Sequence, residues 1–125
     1  MEAKLAKARQ KILIVEDEVL VRLRGADILA GEGYEVLEAG NADEALRILE
    51  ATPNVRAVFS DVEMPGSLDG LGLATCICRR WPSIGIVLTS GHCIRPEMKP
   101  QEGSFLPKPY DGQALVREIG EIVNQ

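Results

Sequence analysis

Residues 11–30 read KILIVEDEVLVRLRGADILA, and this stretch decides the fold. Lys11 to Glu16 (KILIVE) holds an unbroken apolar run, Ile12 to Val15, bounded by charge. A short continuous run, rather than an alternating one, reads as a strand buried on both faces. Val19, Leu23, Ala26 and Ala30 then recur at helical spacing and mark the expected inner face of a helix, which Gly31 and Gly33 stop. Glu16 and Asp17 stand at the junction, where the strand gives way to the helix.

The pattern repeats downstream. Tyr34 to Glu38 (YEVLE) reads as a second strand. Asn41 can cap the next helix, with Glu44 three residues on and Ala42, Ala45, Leu46 and Leu49 as its apolar stripe. Val55 to Ser60 (VRAVFS) is a third strand, and the loop MPGSLDG leads to a helix with Leu73, Ala74, Ile77 and Trp81 inward. Ile84 to Thr89 (IGIVLT) is a fourth strand, and Ser104 to Leu106 centres a short fifth. Asp111 can cap a last helix with Leu115, Ile119 and Ile122 inward. Alternating strands and helices imply an α/β fold with a parallel sheet covered on both faces. For five units the doubly wound order 2-1-3-4-5 is expected.

One connection resists this reading. Between the fourth and fifth strands lies HCIRPEMKPQEG, where Pro96 and Pro100 lack amide hydrogens. A short or irregular fourth helix of about one turn is expected there.

Composition bounds the rest. The 125 residues suit one domain, expected over 1–125 with residues 1–10 as an N-terminal extension and 11–124 as the core. A formal net charge of -5 argues against direct nucleic-acid binding, which needs a basic face. No apolar run approaches the ~20 residues that span a bilayer, and no polybasic stretch suggests a membrane surface. Cys76, Cys78 and Cys93 have no framework spacing, so free thiols and a cytoplasmic location are expected.

In an open parallel sheet, ligands bind beyond the carboxyl ends of the strands. Here the first strand ends in Glu16 and Asp17, the third in Asp61, the fourth in Ser90 and the fifth near Lys108. Acidic residues after a strand are often mere turn formers, and for Glu16 and Asp17 alone that would suffice. It does not account for three carboxylates, a hydroxyl and an ammonium converging on one edge. Clustered carboxylates resist joint ionisation unless a hard cation such as Mg²⁺ relieves them. A carboxylate between such a cation and a lysine is a plausible aspartyl-phosphate site.

These residues resemble the receiver domain of bacterial two-component response regulators. The matching pieces are IVEDE, FSDVEMPG, IVLTSGH and FLPKPY, in order, within a resemblance from about Lys11 to Val123. The resemblance implies a flavodoxin-like (βα)5 fold and Asp61 as phosphoacceptor. It implies Mg²⁺ (or Mn²⁺) held by Asp17, Asp61 and the backbone carbonyl of Glu63, with Glu16 acting mainly through water. It assigns phosphoryl binding and switching to Ser90, Lys108 and Phe105, and leaves Met64, Pro65, Gly91, His92 and Pro109 on the rim. Thr89 is the rival to Ser90, but it points to the opposite face. The implied phosphodonor is a sensor histidine kinase or a histidine phosphotransfer protein, and the output is contact with a downstream protein. The chain would catalyse only its own phosphorylation and dephosphorylation, as a stand-alone domain with no output domain.

Two features depart from the family pattern. MPGSLDG carries an extra residue before Asp69-Gly70, and the weak fourth helix lies on the usual signalling face. Two other classes compete. A phosphorylation-independent pseudo-receiver would have lost the acceptor, the acidic pair or the lysine, and all are retained. A phosphohydrolase with an aspartate nucleophile would carry a second aspartate where Glu63 stands, and would need room for a cap.

Overall fold

The strands form one parallel sheet in the order β2-β1-β3-β4-β5. The computed structural model describes residues 10–91 and 103–124. Its strands are β1 (Lys11–Val15), β2 (Glu35–Ala39), β3 (Val55–Asp61), β4 (Gly85–Ser90) and β5 (Gly103–Pro107). Its helices are α1 (Val19–Gly31), α2 (Ala42–Ala51), α3 (Gly70–Arg80) and α4 (Gly112–Val123), the last in the chain. The expected doubly wound order is the observed one. The short helix expected between β4 and β5, like His92 and Cys93, lies outside the described residues.

Alternation along each strand splits the core in two. Leu13, Val15, Val58, Ile86 and Leu88 pack under α2 and α3 with Leu49, Leu73 and Ile77. Ile12, Ile14, Phe59, Val87 and Leu106 pack under α1 and α4 with Leu29, Leu115 and Ile119. Strands apolar on both sides are the cause of the unbroken runs seen in the sequence. Three helices begin on side-chain caps. Asn41 accepts from the Glu44 amide at 2.8 Å, Asp69 from Gly72 at 2.9 Å and Asp111 from Ala114 at 2.7 Å. Each cap satisfies an amide that the helix itself leaves unpaired.

The inner face of α1 is not the expected one. Of the four residues expected inward, Ala26 is buried, but Val19 is 54% exposed, Leu23 42% and Ala30 is also exposed, whereas Gly25 and Leu29 are buried. The helix is turned so that positions 22, 25, 26 and 29 share the sheet side, the i, i+3, i+4, i+7 pattern of a buried stripe. Arg22 occupies a place in that stripe, with its guanidinium bonded to Glu38 Oε1 at 3.0 Å and to the Glu16 carbonyl at 2.8 Å. A charged residue on the inner side hid the true face from an apolar template. Gly25 adds to the effect, because its bare Cα lets Ile14 and the Tyr110 hydroxyl approach α1 closely.

Gly70 opens α3 directly against β3. A Cβ there would run into the backbone carbonyl of Asp61. The Gly70 amide donates to Val62 O at 2.9 Å, so helix and strand end are joined at this point. Gly120, within α4, has nothing within 4 Å of its Cβ position. Gly70→Ala should therefore cost about 1–3 kcal/mol through overpacking. Gly120→Ala should instead add about 0.4–1 kcal/mol by reducing unfolded-chain entropy. Urea denaturation of both variants checks the pair, and a Gly70→Ala chain as stable as the parent would contradict the close approach.

Candidate functional site

The carboxyl edge of the sheet is where the polar residues meet. Glu16 follows β1, Asp61 ends β3 and Lys108 follows β5. All three continue the alternation of strand residues that face α1 and α4, so their side chains emerge on one side. Lys108 Nζ lies 2.9 Å from Asp61 Oδ2 and 3.0 Å from Glu16 Oε1. Glu16 is 4% exposed and Asp61 5%, so the ammonium sits between two buried carboxylates.

Backbone contacts set these positions. The Lys108 amide donates to Ser90 O at 2.9 Å, which ties the turn after β5 to the end of β4. The Val62 amide donates to Thr89 O at 2.9 Å, which holds the chain just past Asp61 in register with β4. Asp61 Oδ1 accepts from the Glu63 amide at 3.2 Å, and Glu16 Oε2 from the Glu18 amide at 3.1 Å.

The electrostatics follow from this packing. Burial raises the Glu16 pKa; the Glu18 amide and Lys108 pull it down, the Asp61 charge pushes it up, and it stays above the ordinary carboxylate value. Burial alone would lower the pKa of Lys108, but its hydrogen bonds to Asp61 and Glu16 outweigh that and hold the ammonium above the usual lysine range. Lys108 is thus charged at every physiological pH.

Asp17 is exposed, yet oxygens of Glu16, Asp17 and Asp61 lie within 4.8 Å of one another. An all-oxygen, anionic donor set fits a hard divalent cation. Both oxygens of Glu16 and both of Asp61 already accept hydrogen bonds, so a cation here would share them with Lys108 and the loop amides, with the exposed Asp17 carboxylate alongside.

The other expected residues are placed as follows. Ser90 ends β4 but faces the α2/α3 side, with Leu88, and its hydroxyl lies 2.7 Å from both carboxylate oxygens of Glu63. Phe105, opposite Leu88 in register, is partly buried against the same half of the core. Pro65, Gly91 and Pro109 are exposed. Met64, expected on the rim, is instead buried with Leu73 and Val62, because its apolar side chain turns under α3. Cys76 and Cys78 are partly buried free thiols.

Thr89, set aside in the sequence as pointing to the opposite face, instead shares the side of Asp61: it is the register partner of Asp61, lines a small space with Glu16, Asp61 and Tyr110, and its buried hydroxyl has no hydrogen-bond partner among the described residues. Other residues of the site are not singled out by the sequence. Tyr110 packs edge-on against Phe59 at 5.4 Å, beneath the Arg24 guanidinium at 5.2 Å, and burial raises the pKa of its phenol. Arg22 pins the carbonyl of Glu16. The Glu63 carboxylate, beyond the backbone carbonyl expected to hold metal, meets the Ser90 hydroxyl.

The pattern for the response regulator receiver domain matches residues 12–120. The chain belongs to that family. It is 36% identical over 110 residues to a putative NtrX-like response regulator of Rickettsia bellii, covering 84% of this chain and 23% of that protein. It is 34% identical over 119 residues to the sensor kinase CckA of Brucella abortus, covering 91% of this chain and 12% of that protein. The crystal structure of the receiver domain from the hybrid histidine kinase CckA superposes with a TM-score of 0.78 at 35% identity, covering 90% of this chain and 98% of that one. The chain thus spans less than a quarter of the curated relatives cited, and the expectation of a stand-alone receiver gains no support from them. No described helix of this receiver is long and apolar enough to cross a membrane.

If the ammonium is what permits two buried carboxylates to face each other, its loss should be felt in stability. Lys108→Met should cost about 1–3 kcal/mol without divalent metal, a partly exposed lysine giving less than a fully buried one. Asp61→Asn in that background should recover part of the loss. Urea denaturation with a chelator measures both, and a Lys108→Met receiver as stable as the parent would contradict this role.

Proposed function

We propose that this receiver is a phosphoryl-accepting switch in which Asp61 takes a phosphoryl group from a protein phosphohistidine. The observation that carries this reading is the Lys108 ammonium bonded at once to Asp61 and Glu16, with Asp17 alongside. An Asp61 oxygen attacks phosphorus in line. The P–N bond to the donor imidazole breaks, its electron pair stays on nitrogen, and a proton from solvent restores the neutral ring. An aspartyl phosphate results. Lys108 moves its hydrogen bonds toward the arriving phosphoryl oxygens and offsets their charge. Asp17 and Asp61, with the backbone carbonyl of Glu63, would hold Mg²⁺ (or Mn²⁺), which supplies charge neutralisation of the phosphoryl group.

The donor is read as a sensor histidine kinase or a phosphotransfer protein. Val19, Leu20 and Leu23 form an exposed apolar ridge on the first turns of α1, next to the acidic pair, and Leu20 is 81% exposed. Such a ridge beside the acceptor suits docking of an apolar helical surface that carries the phosphohistidine. Ser90 and Phe105 are read as the residues that carry the change outward, toward a downstream protein.

Acetyl phosphate with a divalent cation should add one labile phosphate to the chain by intact mass. Chelation or Asp61→Asn should abolish it, and an adduct surviving Asp61→Asn would refute the acceptor. Leu20→Glu should slow transfer from a phosphorylated histidine protein at least about tenfold, the loss of roughly one well-packed apolar contact. It should leave the acetyl phosphate reaction unchanged. Equal slowing with both donors would refute the docking role.

A further inference from the structure

Ser90 and Glu63 meet across the mouth of the site. The Ser90 hydroxyl lies 2.7 Å from Oε1 and 2.7 Å from Oε2 of Glu63. A serine hydroxyl has one proton to donate, and here it is directed at a carboxylate, the stronger kind of neutral-to-ion hydrogen bond. Glu63 is also tied to the acceptor, since its amide donates to Asp61 Oδ1 at 3.2 Å. Ser90 faces the α2/α3 side of the sheet, whereas Asp61, Glu16 and Lys108 emerge on the α1/α4 side. The hydroxyl must therefore reorient before it can serve a group on Asp61.

We infer that the Glu63 carboxylate is a resting-state latch: an internal anion that occupies the Ser90 hydroxyl until a phosphoryl group on Asp61 takes it away. The inference rests on the reading of Asp61 as acceptor. Glu63 is a positioning residue, since it acts through Ser90 and not on the reacting atoms. Phosphorylation places a second, more highly charged anion close to Glu63. Repulsion between the two and the competing acceptor oxygens then favour transfer of the hydroxyl from Glu63 to the phosphoryl group. Glu63 thereby opposes premature movement of Ser90, and it weakens binding of any phosphoryl group by the amount needed to break the latch.

Glu63 is exposed on a loop, so substitutions there place little burden on folding. The test uses the full chain and beryllofluoride with Mg²⁺, a non-reactive stand-in for a phosphoryl group on a carboxylate, with affinity read by ¹⁹F NMR titration. Glu63→Ala should bind about tenfold tighter than the parent, because Ser90 no longer has to be released. Glu63→Gln keeps an acceptor oxygen without the charge and should fall between the two. In a Ser90→Ala background the Glu63→Ala gain should shrink below about twofold, since the latch has no bolt to hold. An equal gain with and without the Ser90 hydroxyl, or the same gain for Gln as for Ala, would mean that Glu63 acts by its charge alone and would overturn the latch. Beryllofluoride binding to the parent with no change in Glu63→Ala would overturn it too. Failure of the parent to bind beryllofluoride at all would overturn the acceptor reading, and the latch with it.

Discussion

Two carboxylates buried side by side at the end of a parallel sheet repel each other unless a positive group lies between them, and here that group is Lys108. The remaining architecture supplies the means of placing it there. β1 and β3 deliver Glu16 and Asp61 from neighbouring strands. β5 lies two positions away from β3, and the turn after it brings Lys108 back across β4, where its amide is held by Ser90 O. Strand order, register and the α/β alternation all matter to the function through this one contact.

The same contact explains why the site is poised without being satisfied. Lys108 neutralises one charge, but Glu16, Asp17 and Asp61 together carry more than one lysine can offset. The residual negative charge favours a divalent cation, and the ammonium favours an anion brought up against Asp61. A phosphoryl group with its metal meets both demands. Helix α1 contributes from outside: Arg22 pins the loop that holds the acidic pair, while its outer turns present apolar surface beside it.

Much of this was legible in the sequence, for identifiable reasons. Apolar runs such as ILIV and IVL, each ending in a polar residue, gave away strands buried on both faces and the edge at which chemistry would lie. The caps at Asn41 and Asp111 were readable because a capping side chain acts locally. The face of α1 was misread because Arg22 points inward for a reason three elements wide, linking α1 to β1 and β2. Met64 was misplaced because a loop residue can turn either way, and only the position of α3 decides. Tyr110 and the Glu63 carboxylate could not be found by pattern, nor could the side on which Thr89 and Ser90 face. Their relation to Asp61 exists only once strands far apart in sequence are in register.

The acceptor assignment is open to a direct chemical measurement. An aspartyl phosphate is an acyl phosphate, which borohydride reduces to an alcohol and so converts the residue to homoserine. After treatment with a phosphodonor and a divalent cation, then borohydride, peptide mass mapping should find homoserine at position 61 and at no other aspartate. Reduction at Asp17 instead, or an acid-stable phosphate on Ser90 with Asp61 unmodified, would contradict the account.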